Sequence, residues 1–299
     1  MKLWVSIFGM ICVVSMFAFF LMKSDIISKE PSLGRIGNSF SDVKIQEQEK
    51  MLKSIGTLRK EDFKKAQVFK GNLILINEEH PVHQASVKSD VITLTDYQDL
   101  FDGIGFYDRN IQLSRSIGES FMDMVRAAGE EGYTHFLITS GYRGFEEQNQ
   151  LYKEMGPDYA LPAGYSEHNS GLALDVGSQQ GEMTNAPEGK WIEHNAWKYG
   201  FVLRYPKNKS TITGIEYEPW HIRYVGLPHS AVMHKKRMVL EEYLEYLKTE
   251  KNLDVTYDGQ EYLITYYPFS EGQQLKVPDQ GEYQVSGDNT DGVIVTIPK

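Results

Sequence analysis

The sequence predicts a mixed domain of helices and strands, closed by a small all-β segment. Two textures carry this reading. From about residue 69 to residue 250, stretches with apolar residues at helical spacing are interspersed with glycine-bounded apolar runs too short to be helices. From 252 to 299 the pattern becomes alternating, and Asp258-Gly259 stands between two such segments as a hairpin signal.

The chain begins with a different kind of segment. Residues 3–22 carry no charge and are bracketed by Lys2 and Lys23. About 20 apolar residues suffice to cross a bilayer as a helix. The run ends "FAFFLMKSD", bulky to its last position, whereas a cleaved signal peptide ends in small residues. The expectation is an uncleaved single-pass anchor over 1–23, with the globular remainder outside the cytoplasm at the cell membrane. The single cysteine, Cys12, falls inside this run, so the rest of the chain has neither disulfides nor cysteine metal ligands. Residues 24–68 are polar, with weak periodicity, and read as a juxtamembrane spacer.

The domain expected over 69–250 then unfolds in order. "GNLILIN" (71–77) reads as a strand, followed by the loop "EEHPVHQ". Ile117, Phe121, Met124, Val125 and Ala128 recur at helical spacing within 111–131. "HFLITSG" is a short buried strand and "GFEEQNQLYKEMG" a helix closed by glycine. "GLALDVG" is the next strand. "PEGKWIEHNAWKYG" is a helix with proline at its start and glycine at its end. "FVLRYP" and "WHIRYVG" are strands, and "HSAVMHKKRMVLEEYLEYLKTE" is an amphipathic helix closing the domain. The β segment after it carries no catalytic constellation. With 31 basic against 41 acidic residues the net charge is −10, which argues against a nucleic-acid or anionic-membrane binder.

One carboxylate stands out. Side chains alternate along a strand, so Leu172, Leu174 and Val176 point one way while Ala173, Asp175 and Gly177 point the other. A buried carboxylate needs a cation or strong hydrogen-bond partners. His168 precedes the strand in a Ser/Asn/Gly loop able to fold over the small-residue face, and His221 opens a later strand. Two His and one Asp with an open fourth position make the donor set of a catalytic zinc. Glu218 lies three residues before His221, and Pro219 favours a bend that brings its carboxylate toward the attacking water, where hydrolysis needs a base. The plainer alternative for Asp175 is a salt bridge to Arg143. His80, His83, His135, His194, His229 and His234 read as loop or helix-face residues, with His194 packed beside Trp191 and Trp197.

Two motifs make the combination specific. "SEHNSGLALD" fits S-x-H-x-x-G-x-A-x-D and "EPWH" fits E-x-W-H. Together with "SGYRGFEEQ", and over about 70–248, the chain resembles the VanX/VanY group of zinc D,D-peptidases. Its anchor and length look most like the VanY D-alanyl-D-alanine carboxypeptidases of glycopeptide-resistant Gram-positive bacteria. The resemblance implies a small α+β zinc domain with a central antiparallel sheet. It implies Zn2+ held by His168, Asp175 and His221, Glu218 as the base, and Arg143 stabilising the reacting peptide. It further implies Gln148 and Ser166 at the D-alanine end of a peptidoglycan stem peptide, and no acyl-enzyme for penicillin to trap. Nothing about the β segment carries over, because it is not common to the whole group.

Three rivals stand beside this reading. "SDVK" (41–44) satisfies the S-x-x-K pattern of serine acyl-enzymes but lies in the polar spacer without partner motifs. A zinc-dependent binder of cell-wall peptides would not need Glu218. A dipeptidase acting on free D-Ala-D-Ala is the nearest alternative.

Overall fold

A computed structural model describes residues 44–46, 56–157 and 159–299. The anchor run 3–22, the "SDVK" serine and most of the spacer lie outside the described residues. Among the described residues no helix is long and apolar enough to cross a membrane. In chain order the strands and helices are β1 (Lys44–Gln46), β2 (Leu58–Asp62), β3 (Val91–Thr93), β4 (Gly105–Phe106), β5 (Gln112–Ser114), α1 (Arg115–Glu130), β6 (Phe136–Ser140) and α2 (Phe145–Met155). They continue with β7 (Ala173–Ser178), α3 (Pro187–Asn195), β8 (Phe201–Leu203), α4 (Ser210–Thr213), β9 (His221–Tyr224), α5 (His229–Lys236) and α6 (Leu240–Glu250). A run of strands ends the chain: β10 (Asn252–Tyr257), β11 (Gln260–Pro268), β12 (Gln274–Pro278), β13 (Gln284–Gly287) and β14 (Gly292–Pro298).

The central sheet has the order β4-β6-β7-β9-β8 and is antiparallel except for the β4–β6 edge pair. One face is apolar for the reason the alternation gives. Leu172, Leu174, Val176 and Ile222 are fully buried against Ile117, Phe121 and Met124 of α1 and Ile192 of α3. The other face carries Asp175 and His221, which the register sets directly opposite each other. Burying one face fixes the register, since a one-residue slip would turn every side chain over.

The segment 71–77 is a correction to its reading as a strand. It is extended and its alternation is used, but it joins no sheet. Leu73 and Leu75 enter one core while Ile74 and Ile76 enter the other. With no strand beside it, its backbone needs other partners. Arg223 Nη2 donates to the carbonyls of Asn72 and Ile74 at 3.0 and 2.8 Å.

The expected closing helix is two helices. Arg237 has φ 56°, a left-handed residue that breaks the run between α5 and α6. This break turns α6 so that Leu240, Tyr243, Leu244 and Leu247 form a core with Leu253, Val255, Ile264 and Ile294 of the C-terminal strands. Those strands form the sheet β1-β10-β11-β14-β13, with the hairpin turning at Asp258 and Gly259, both at positive φ. Its opposite face packs Val293, Val295 and Ile297 against Phe63 and Val68. The end of the expected spacer therefore folds: β2 pairs with β12 and helps cover the second sheet. The described residues share one compact unit, and within it the C-terminal strands pack against α6.

Candidate active site

Three structural devices bring His168, Asp175 and His221 together. The first is the β7–β9 register already described. The second is a tight turn over Glu167–Ser170, closed by left-handed Gly171 (φ 79°), which folds His168 back over the polar face. The third is the end of β6, where Ser140 pairs with Asp175 across an irregularity in the ladder and Gly141 follows. His168 Nε2 lies 3.3 Å from Asp175 Oδ2, and His221 Nδ1 lies 3.0 Å from Asp175 Oδ1. All three donor atoms fall within 4.8 Å of one another.

The outer nitrogen of each ring is already committed. His168 Nδ1 donates to the Gly141 carbonyl at 2.6 Å. His221 Nε2 faces the Glu167 carboxylate at 3.3 Å. Neutral rings held this way turn lone pairs, not protons, toward Asp175, and lone pairs facing a carboxylate require a cation between them. Burial alone would make His221 harder to protonate, but hydrogen bonds to Asp175 and Glu167 override this and push it up to about 10. The edge of a tetrahedral zinc site with bonds of about 2.0–2.2 Å is about 3.3–3.6 Å, close to the 3.3 and 3.0 Å at which the two rings stand from Asp175. The donor set therefore fits zinc, which His168 Nε2, an Asp175 oxygen and His221 Nδ1 would hold.

Glu218 stands at the rim of this cluster. The bend expected at Pro219 is a turn in which the His221 N–H bonds the Glu218 carbonyl at 3.3 Å, while the Glu218 N–H bonds the Tyr205 carbonyl at 3.0 Å. The Glu218 carboxylate comes within 3.8 Å of His221 Nδ1 and keeps 28% of its side-chain surface exposed. Burial pushes its pKa up; His221 opposes this, and the neighbouring Asp175 charge adds to it. A carboxylate raised above its ordinary value and open to the cleft can take up a proton from water.

The cleft over the cluster measures about 500 Å³ and is also lined by Arg143, Gln148, Ser166, Tyr205 and Trp220. Arg143 forms no ion pair among the described residues, which removes the salt bridge to Asp175. Its Nη2 donates to Ser140 Oγ and its Nη1 to Gln148 Oε1, both at 2.9 Å. Gln148 is buried and its Nε2 donates to the Leu161 carbonyl at 2.6 Å. Gln148 is thus engaged at both ends and holds the guanidinium in place. Ser166 lines the cleft beside His168.

Sequence reasoning missed the charged layer behind His221. Glu167, Arg204 and Arg223 have no exposed side-chain surface, and one Glu167 oxygen accepts from both arginines. Burial would raise the Glu167 pKa, but the two guanidiniums hold it far below the carboxylate range. Alternation along β9 puts Arg223 on the same face as His221, two residues on. Glu167 gave no signal beyond its place next to His168. His229, read as a helix-face residue, is in fact buried between Tyr243 Oη at 2.8 Å and Thr296 Oγ1 at 3.0 Å.

Residues 110–227 match the family model described as VanY, D-alanyl-D-alanine carboxypeptidase. A D-alanyl-D-alanine carboxypeptidase of Enterococcus faecium is 58% identical over 231 residues, 77% of this chain and 76% of that protein. The bifunctional D-Ala-D-Ala dipeptidase and carboxypeptidase VanXYC of Enterococcus gallinarum is 36% identical over 58% of this chain and 94% of its own length. Among solved structures, the vancomycin resistance D,D-dipeptidase VanXYg in complex with a D-Ala-D-Ala phosphinate analog superposes with a TM-score of 0.70 at 28% identity, covering 82% of this chain and all of that one. The chain belongs to the VanY family of D-alanyl-D-alanine carboxypeptidases.

Proposed function

We propose that this protein is a zinc-dependent D,D-carboxypeptidase. It removes the terminal D-Ala from peptidoglycan stem peptides ending in D-Ala-D-Ala and so supports vancomycin resistance. The observation that carries this reading is Asp175 set between His168 Nε2 and His221 Nδ1, with the Glu218 carboxylate beside them in a cleft that also receives Arg143.

Zinc bound by His168, Asp175 and His221 would supply a Lewis acid that polarises the scissile carbonyl and makes a water more acidic. The chain's own groups do the rest. Glu218 accepts a proton from the attacking water at a carboxylate oxygen and passes it to the nitrogen of the leaving D-alanine. Water and the amide are thereby converted to a carboxylate and an amine, with no covalent adduct to the protein. Arg143, braced by Ser140 and Gln148, offers paired N–H donors to negative oxygen, either the one developing at the carbonyl or the substrate's terminal carboxylate. Ser166 takes the terminal residue. Glu218 beside the metal donors supports direct attack by water, which leaves no acyl-enzyme for penicillin to trap.

The uncharged run 3–22 supports a membrane anchor with this site outside the cytoplasm, where lipid- or wall-linked pentapeptide is the substrate at hand. The bifunctional relative favours a second reading, hydrolysis of free D-Ala-D-Ala. Mass spectrometry of both reactions decides between them. The proposal expects loss of one alanine from a pentapeptide and little cleavage of the dipeptide. Dipeptide cleavage with an untouched pentapeptide would overturn it.

A further inference from the structure

The layer behind His221 extends to a helix outside the segment that matches the family model. Arg204 Nε donates to Glu167 Oε1 at 2.8 Å, and its two Nη groups form a fork with Glu241 of α6 at 2.9 and 2.7 Å. Glu167 turns its other oxygen to His221 Nε2. Glu241 lies beyond 110–227 and outside the lining of the cleft, on the helix whose apolar face is covered by the C-terminal sheet.

We infer that Glu241 is a positioning residue for the metal site, acting through Arg204 and Glu167 on His221. This rests on His168, Asp175 and His221 being that site. Two guanidiniums and two carboxylates balance in this layer, and each Arg204 nitrogen has a carboxylate acceptor. Arg223 is held separately, by the carbonyls of Asn72 and Ile74 as well as by Glu167. If Glu241 loses its charge, the Arg204 Nη groups are left buried with a poor partner, which is costly. The nearest remaining anion is Glu167. A guanidinium binds a carboxylate best through both oxygens, so Arg204 would draw Glu167 Oε2 away from His221. His221 would then lose the partner that fixes its ring and keeps the Nδ1 lone pair on the metal side. Partners of this kind typically contribute about 10–100-fold to metal affinity.

The test measures zinc affinity of the full chain by competition with a chromophoric chelator, using zinc alone, alongside thermal unfolding of the metal-free protein. Glu241→Gln should weaken zinc binding at least tenfold. Glu241→Asp, which keeps the charge but shortens the reach, should weaken it less, and it serves as the deciding variant if Glu241→Gln does not fold. Leu247→Ala is the control, because Leu247 packs in the same helix–sheet core without touching the relay. It should lower the unfolding temperature and leave zinc affinity at the wild-type value. Unchanged affinity in the folded Glu241 variants would overturn the relay, as would equal weakening in Leu247→Ala at matched stability. Failure of the wild type to bind zinc would instead remove the site on which the relay rests.

Discussion

Arg143 and Gln148 occupy neighbouring positions in the cleft but differ in what they leave free. Both polar ends of Gln148 are bonded, one to Arg143 and one to the Leu161 carbonyl. Arg143 keeps donors for a substrate oxygen after bonding Ser140 and Gln148. Replacing it with lysine removes the planar fork and keeps the charge. Arg143→Lys should lower kcat by about 10²-fold, comparable to losing an oxyanion donor, with zinc content unchanged. A change confined to KM would assign Arg143 to ground-state binding. Gln148→Ala should reproduce part of the same kcat defect, since Gln148 acts through Arg143. A pure KM effect would return it to the role of holding the terminal D-alanine. At this scale the meeting of His168, Asp175 and His221, with Glu218 at its rim, was legible in the sequence, because two spaced motifs name these residues. Glu167 and Arg204 were not, because an acid or a base buried in a paired layer looks in sequence like any surface charge.

Among the elements, the junction of α5, α6 and β14 is the place where a titratable group carries stability. His229 is buried between a tyrosine and a threonine hydroxyl, and burial lowers its pKa to about 3. An unfolded histidine titrates near 6.5, so below that pH the unfolded chain binds a proton that the native state refuses. The stabilisation is full above about pH 6.5 and is lost as pH falls toward 3, by about 2 kcal/mol at pH 5. Denaturant unfolding at pH 7.5 and pH 5 should show the wild type losing about that much more stability than His229→Gln. Parallel losses in the two proteins would contradict it. The break between α5 and α6 was hidden from the sequence. A left-handed arginine has no compositional signature, and apolar residues at helical spacing run straight through it. The 71–77 segment shows the reverse. Its apolar run was legible as buried, but whether such a run finds a partner strand depends on neighbours far away in the chain.

At the scale of the molecule, the C-terminal strands close the domain. Their sheet buries Leu240, Tyr243, Leu244 and Leu247 on one face, and the other face is covered from the 58–69 segment. Burial of large apolar side chains contributes about 1.5–3 kcal/mol each, more than the whole margin of stability once several are exposed. Removal of 252–299 should therefore abolish the cooperative thermal transition. A 56–251 fragment that unfolds cooperatively and still releases D-alanine would show the strands to be dispensable. The hairpin itself was plain from Asp258-Gly259, but its contacts with α6 and β2 were not, because a local pattern carries no information about long-range packing.

The most direct test of the account is D-alanine release from a peptide ending in D-Ala-D-Ala by metal-stripped enzyme titrated with zinc, with Glu218→Gln run in parallel. Activity of the wild type should rise from baseline and saturate at one zinc per chain. Glu218→Gln should bind the same single zinc and release D-alanine about 10²–10⁴-fold more slowly, the usual contribution of a general base. Full release by the stripped enzyme, or undiminished turnover by zinc-loaded Glu218→Gln, would contradict the assignment of this site.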